Sequence, residues 1–310
     1  MRANFVLKTI IAATCTLLPN LGDAADIGDS TYFEDELEAT AGSGVAYLGS
    51  GVAADKNHSS LIVNPALLAL DRNYDLGGTY FFPRVGPKYW QGTIIDSYTS
   101  KFAIGLAYQT PTKEKDDFPA FPINKRYQLG FASKLSHFNL GLTVQRAEST
   151  LLEDNELKDI AVTSVGIGLY GHIQDNLKWG FSWMNMENSA YNQVSPTTIR
   201  LGLAFDINEK SLVFVDYLDI KKKTVAQEND PSKKIEYGML VLGGRIFIMD
   251  YLSLKASYGF SISGDSRQSI GGGLGVHGDR FDLTYSVAKP DQKDTKLTST
   301  LSINMQLRTK

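Results

Sequence analysis

A two-residue alternation of large apolar and small or polar side chains runs through most of the chain after residue 72. In KFAIGLAYQT, residues 101–110, every second side chain from Phe102 to Tyr108 is large and mainly apolar, and those that alternate with them are Ala, Gly or Gln. Successive side chains of a β-strand point to opposite faces, so the pattern predicts strands with one apolar face. A soluble sandwich would expose polar residues on its second face, whereas a face of Gly, Ala, Ser and Thr favours the crowded interior of a membrane barrel.

Fourteen segments carry this alternation, and most have the length that a tilted strand needs to cross a bilayer. Their bounds are 73–83, 88–98, 101–110, 124–134, 137–146, 159–171, 176–185, 197–206, 211–221, 235–247, 252–262, 268–277, 279–287 and 296–307. An even number of antiparallel strands closes a barrel with both termini on one side. The sequence therefore predicts an all-β fold: a closed antiparallel transmembrane β-barrel of about 14 strands over residues 73–307, with periplasmic termini.

The connections between these segments alternate between long and short. Polar loops such as residues 147–158 and 221–234 follow odd-numbered segments, and turns such as residues 135–136 follow even-numbered ones. The short connection at 83–87 is the clearest exception. Long outer loops and tight periplasmic turns are typical of an outer-membrane barrel, and a sandwich has no reason to produce them.

The first residues resemble an export signal. Residues 1–24 contain two bases, an apolar core at 9–18, and the small residues Gly22 and Ala24 before a predicted cleavage site. Cys15 is the only cysteine, so the mature chain is expected to lack disulfides and thiolate metal sites. The net charge of −3 argues against a nucleic-acid partner.

Residues 25–72 precede the first strand and lack a long strand pattern. Fourteen strands enclose more space than wall side chains can fill, so we expect this segment to be an N-terminal plug inside the barrel. In NPALLAL, Asn64 can cap a short helix and Pro65 suits its first position. Such a helix is too short to be stable alone, and its leucines need an apolar surround.

The stretch YLGSGVAADKNHSSLIVNPALLAL, followed by YDLGGTYFF, resembles the N-terminal hatch of the FadL-type outer-membrane transporters of hydrophobic compounds. The PorV-type barrels of a protein-secretion system share a similar start. The matching residues are a glycine-rich stretch at 49–51, Asp55, and the triplet Asn64, Pro65 and Ala66. The resemblance implies a fourteen-stranded barrel with an N-terminal plug, and passage of small hydrophobic ligands, fatty-acid-like ones among them. It makes the apolar plug residues candidates for the ligand pocket: Phe33, Val63, Leu67, Leu68 and Leu70.

Charged side chains are expected inside the barrel as well. The strand pattern assigns these to the lumen or its inner rim: Lys101, Arg126, Lys178, Arg200, Asp206, Lys255, Arg280 and Asp282. Six acids between residues 26 and 38 open the predicted plug. They can pair with the basic inner rim, or they can form a solvated tail in the periplasm, and the sequence favours neither.

Three functions fit this sequence. The first is a plugged channel for small hydrophobic molecules, the second a scaffold that binds exported proteins or anchors a complex, and the third a diffusion porin. Each would be surrounded by outer-membrane lipids. GIGLYG at 166–171 lacks the helix that a nucleotide loop needs, and no catalytic residue, metal ligand or cofactor is predicted.

Overall fold

A computed structural model describes residues 43–48, 50–54, 59–83, 88–112, 125–153, 156–186, 195–223, 234–263, 268–289 and 297–307. Fourteen antiparallel strands form a closed barrel, in which each strand pairs with its sequence neighbours and β1 pairs with β14. The strands are β1 (Tyr74–Pro83), β2 (Tyr89–Asp96), β3 (Phe102–Pro111), β4 (Lys125–Lys134), β5 (Phe138–Glu153), β6 (Glu156–Gln174), β7 (Leu177–Met184), β8 (Thr197–Asp206), β9 (Leu212–Lys223), β10 (Lys234–Met249), β11 (Leu252–Ser263), β12 (Gln268–His277), β13 (Phe281–Lys289) and β14 (Thr298–Leu307). The predicted strand number and closure are confirmed.

Both ends of the barrel chain lie at the same edge. Tyr74, which begins β1, pairs with Leu307, which ends β14. The turns at this edge are short, for example residues 135–137 and 250–251. This edge is the one that the sequence assigns to the periplasm.

The predicted outer loop at residues 147–158 is wrong. Strands β5 and β6 continue their pairing to Glu153 and Glu156, and only residues 154–155 separate them. The clear apolar alternation of the sequence ends near residue 146, but the backbone N–H and C=O groups that follow still need partners. The continued pairing of β5 with β6 supplies those partners.

The alternation sorts side chains between lipid and lumen as expected. Phe102, Leu106, Leu142 and Leu201 are between 51% and 61% exposed on the outer face. Thr143, which follows Leu142 on the same strand, is buried on the inner face. Because one residue of slippage would exchange the two faces, these exposures confirm the predicted register.

In the described residues that precede the barrel there are three short helical elements: α1 (Ser43–Ala46), α2 (Ser60–Val63) and a 3-10 helix (Pro65–Ala69). None of the helices in the described part of the chain is long and apolar enough to cross a membrane. The predicted signal segment 1–24 lies outside the described residues, as do Phe33, the acids at 26–38 and Asp55.

Candidate functional site

The described part of the N-terminal segment runs inside the barrel. Helix α1 contacts β11 to β14, and the 3-10 helix contacts β3 to β6. The segment is buried at residues 45–48, 50–54 and 59–68. Helices as short as these are unstable alone, so they depend on their contacts with the wall. Contacts with opposite sides of the wall therefore hold the segment across the lumen.

Asn64 joins the segment to itself and to the wall. Its side-chain oxygen accepts the backbone N–H of Ala66 at 3.1 Å and caps the 3-10 helix, with Pro65 at the first position. Its amide Nδ2 donates to Val52 O at 2.8 Å and to Leu169 O on β6 at 2.9 Å. The side chain is fully buried, so its hydrogen bonds are made without competition from water.

Inward-facing glycines form the seat of the segment. We name them the glycine collar: Gly105, Gly130, Gly141, Gly168, Gly180, Gly202 and Gly271. A Cβ at Gly141 would collide with Pro65 and Ala66, and a Cβ at Gly168 would collide with Asn64. On the outer face, by contrast, a Cβ at Gly92 would meet nothing within 4 Å. The collar is therefore where the absence of side chains lets two backbones approach closely.

A carboxylate in the wall anchors the other half of the segment. Asp216 on β9 is fully buried, and its Oδ2 accepts the backbone N–H groups of Gly51 at 2.6 Å and Val52 at 2.8 Å. Gly51 has φ +89°, a left-handed conformation that favours glycine and presents both N–H groups to the one oxygen. The other oxygen, Oδ1, finds no hydrogen-bond partner among the described residues.

Asp216 was not among the residues that the sequence pointed to. Alternation alone places it inward, but its partners at Gly51 and Val52 lie 165 and 164 residues away in the chain. The sequence offered one indication of a role for Asp216: it is an acid between Phe214 and Leu218 on the inward face of β9, which is otherwise apolar there.

The predicted ligand-pocket residues are used for contacts with the wall. Leu68 belongs to an apolar cluster with Leu61, Ile95 and Ala107, and Leu67 contacts Tyr170. Val63 is buried, and Leu70 is partly buried beside Leu67. These contacts hold the segment against the wall, and a ligand pocket at these residues stays a prediction.

The predicted lumen charges lie partly on the strands and partly at the rim of the barrel. Arg126, Arg200 and Lys255 are buried on the inner face, as expected. Lys101 and Arg280 are exposed in the turns before β3 and β13, at the periplasmic rim of the barrel and not within a strand. Alternation does not continue into a turn, where side chains can bend towards water.

Three further lumen charges, Lys178, Asp206 and Asp282, are paired within the wall. Lys178 binds Asp206 on the neighbouring strand at 2.6 Å, and Asp282 accepts from His277 Nδ1 at 2.7 Å. Lys178 therefore has a partner in the wall, and the two alternatives for the acids at 26–38 remain predictions because those acids lie outside the described residues. In the part of the chain that the structure describes, no three potential metal ligands come together.

A cavity of about 640 Å³, open to the outside, lies on the outer face of the wall formed by β1 to β5. Most of its side chains face outward and are apolar, among them Ile94 and Leu106, with Gly92 beside them. The rings of Tyr108 and Tyr127 pack against each other at a tilt, with centroids 4.9 Å apart, and both line this cavity. This volume is in the range of small-molecule sites, and the chemistry of its lining suits a hydrocarbon.

The barrel is similar to several solved structures, among them the following three. The toluene transporter TodX of P. putida superposes with a TM-score of 0.66 at 12% identity, over 87% of this chain and 99% of that one. The monoaromatic hydrocarbon channel CymD gives a TM-score of 0.64 at 10% identity, over 87% and 98%. A FadL homologue of Pseudomonas aeruginosa gives 0.58 at 12% identity, over 86% and 98%.

No protein-family model matches the sequence, and no curated protein matches it. The structural likeness confirms the fold implied by the N-terminal motif: the chain has the fold of FadL-type outer-membrane transporters. Its closed barrel and apolar exterior are the architecture of an outer-membrane protein.

Proposed function

We propose that the protein is an outer-membrane channel for small hydrophobic compounds, and that residues 25–72 form a plug that closes its lumen. The observation that carries this proposal is the seating of the N-terminal segment on the glycine collar, with Asp216 and Asn64 as polar anchors. A diffusion porin needs an open lumen, and a segment fitted to the wall in this way works against one.

The apolar cavity supports a hydrophobic cargo. Ala107 lines the cavity and also belongs to the apolar cluster beneath the 3-10 helix. Only the sheet itself therefore separates the outer cavity from the apolar cluster in the lumen. A hydrophobic compound that reaches this cluster can pass between lumen and lipid here when the segment shifts. The names of TodX and CymD, a toluene transporter and a monoaromatic hydrocarbon channel, support the same class of cargo. The resemblance of the N-terminal motif to that of FadL-type transporters adds fatty-acid-like molecules to the candidate cargo.

Uptake into liposomes tests this proposal. Proteoliposomes should take up toluene or a radiolabelled fatty acid faster than protein-free liposomes, and should not admit sucrose. Gly92→Leu, which fills the cavity, should slow this uptake. Gly272→Leu is the matched control, because Gly272 also faces outward but does not line the cavity.

The competing functions give different results. If the Gly92→Leu and Gly272→Leu variants take up the hydrophobic compounds at equal rates, the cavity is not part of the transport route. Rapid sucrose uptake with a large steady conductance would identify a porin. A protein partner retained in mild detergent, together with no uptake of either hydrophobic compound, would identify a scaffold.

A further inference from the structure

A chain of hydrogen bonds crosses three strands at the edge of the barrel where its termini lie. Asp282 on β13 accepts from His277 Nδ1 on β12 at 2.7 Å, and His277 Nε2 lies 2.7 Å from Ser253 Oγ on β11. The carboxylate holds the ring in the tautomer whose free nitrogen faces the hydroxyl. This is the order of contacts that activates a serine nucleophile: hydroxyl, imidazole base and orienting acid.

The sheet itself fixes this geometry. His277 lies directly opposite Asp282 in the β12–β13 register, and Ser253 lies opposite Gly275 in the β11–β12 register. A Cβ at Gly275 would stand 2.7 Å from Ser253 Oγ and 2.8 Å from His277 Nε2. Only a glycine therefore allows the ring to reach across to the hydroxyl.

The relay is covered in the resting structure. Ser253 has no exposed surface, whereas the side chains of His277 and Asp282 are 18% and 28% exposed. The ring of Phe247, on the inner face of β10, packs at a tilt against His277 with centroids 4.7 Å apart. A molecule that reaches the hydroxyl must first displace the ring of Phe247.

We propose that Ser253 is a nucleophilic serine and that the relay of Ser253, His277 and Asp282 hydrolyses small hydrophobic esters at this mouth of the barrel. The Ser253 hydroxyl gives its proton to His277 Nε2 as Oγ bonds to the ester carbonyl carbon. The bond to the leaving alcohol then breaks, and the alcohol takes the proton from Nε2. Water attacks the acyl carbon, gives a proton to Nε2 and releases the acid, and the proton returns to Oγ.

Lys255 adds a positive charge near this reaction. It lies two residues beyond Ser253 on the same inner face of β11 and is buried. A cation in a poorly hydrated lumen stabilises the negative charge that develops on the carbonyl oxygen. The proposal depends on the barrel geometry and not on what the channel transports.

Covalent labelling of the folded protein with a small fluorophosphonate tests the proposal, with the labelled residue located by mass spectrometry. Ser253 should be labelled, and Ser253→Ala should abolish the signal. His277→Ala and the better-tolerated His277→Gln should slow labelling about 100-fold, the usual contribution of a general base. Phe247→Ala should accelerate labelling, because it uncovers the hydroxyl, and a purely structural hydrogen bond gives no reason for such a gain.

Glycine variants supply a test that leaves all three functional groups in place. Gly275→Ala should suppress labelling of Ser253, while Gly272→Ala, on the outer face of the same strand, should leave it unchanged. Heat-modifiable migration on a gel confirms that each barrel is folded, and release of nitrophenol from p-nitrophenyl butyrate follows turnover. If Ser253 remains unlabelled in both the wild type and Phe247→Ala, or if labelling is indifferent to His277, the proposal is refuted.

Discussion

Removing the carboxylate of Asp216 should release the first half of the N-terminal segment and leave the barrel folded. Asp216→Ala takes away the acceptor of two buried N–H groups, those of Gly51 and Val52. A hydrogen bond to a charged group contributes about 1.5–3 kcal/mol, and a buried donor left without a partner costs about 1–3 kcal/mol. Burying the Asp216 carboxylate, one oxygen of which has no hydrogen-bond partner among the described residues, carries a desolvation cost in the wild type. Asp216→Ala removes this cost, which offsets part of the stability lost with the two hydrogen bonds.

We therefore expect docking of the segment to weaken by about 2–3 kcal/mol, or roughly 30- to 150-fold in its local equilibrium. Hydrogen exchange read by mass spectrometry over residues 43–54 measures this directly, because Gly51 and Val52 should lose protection by that factor. Asp216→Asn keeps an acceptor oxygen without the charge and should fall between the wild type and Asp216→Ala. Val215→Ala, the next residue along β9 with its side chain outward, should change nothing in this peptide. Unchanged protection in Asp216→Ala would show that apolar contacts alone seat the segment.

Three further outcomes follow from the geometry. Gly168→Ala should raise sucrose leakage through proteoliposomes, because its Cβ displaces the segment, whereas Gly92→Ala meets open space and should leak no more than wild type. Leu142→Arg should lower the free energy of unfolding by about 2–4 kcal/mol in urea titrations, and Leu142→Ala by less; equal losses would contradict its lipid-facing position. In an exposed turn, the hydrogen bond from Lys210 lowers the pKa of the Asp250 carboxyl group. The small contribution of this pair to folding stability is therefore present above about pH 4 and is lost as the pH falls through the lowered pKa. Asp250→Asn should consequently leave the urea midpoint almost unchanged at pH 7, and a large shift would reveal a role for this turn beyond the ion pair.

The local pattern of the sequence was sufficient for much of the barrel. A period of two residues assigns each side chain to lipid or lumen one strand at a time, so the strands and faces could be predicted without knowing any distant contact. The capping role of Asn64 is equally local, because its oxygen binds the N–H of a residue two positions later. The length of the β5–β6 hairpin could not be predicted in this way, since its backbone pairing continues after the apolar pattern has ended.

Only the closed barrel decided which inward side chains meet. Asp216 reaches Gly51 across 165 residues of chain, and Asn64 reaches Leu169 across 105. The chain contains many inward-facing glycines and acids, and alternation treats all of them alike. Strand register and closure bring one particular carboxylate under one particular turn, and they align Ser253 with His277 over a glycine. These contacts depend on the relative positions of whole strands, a property that no short stretch of sequence contains.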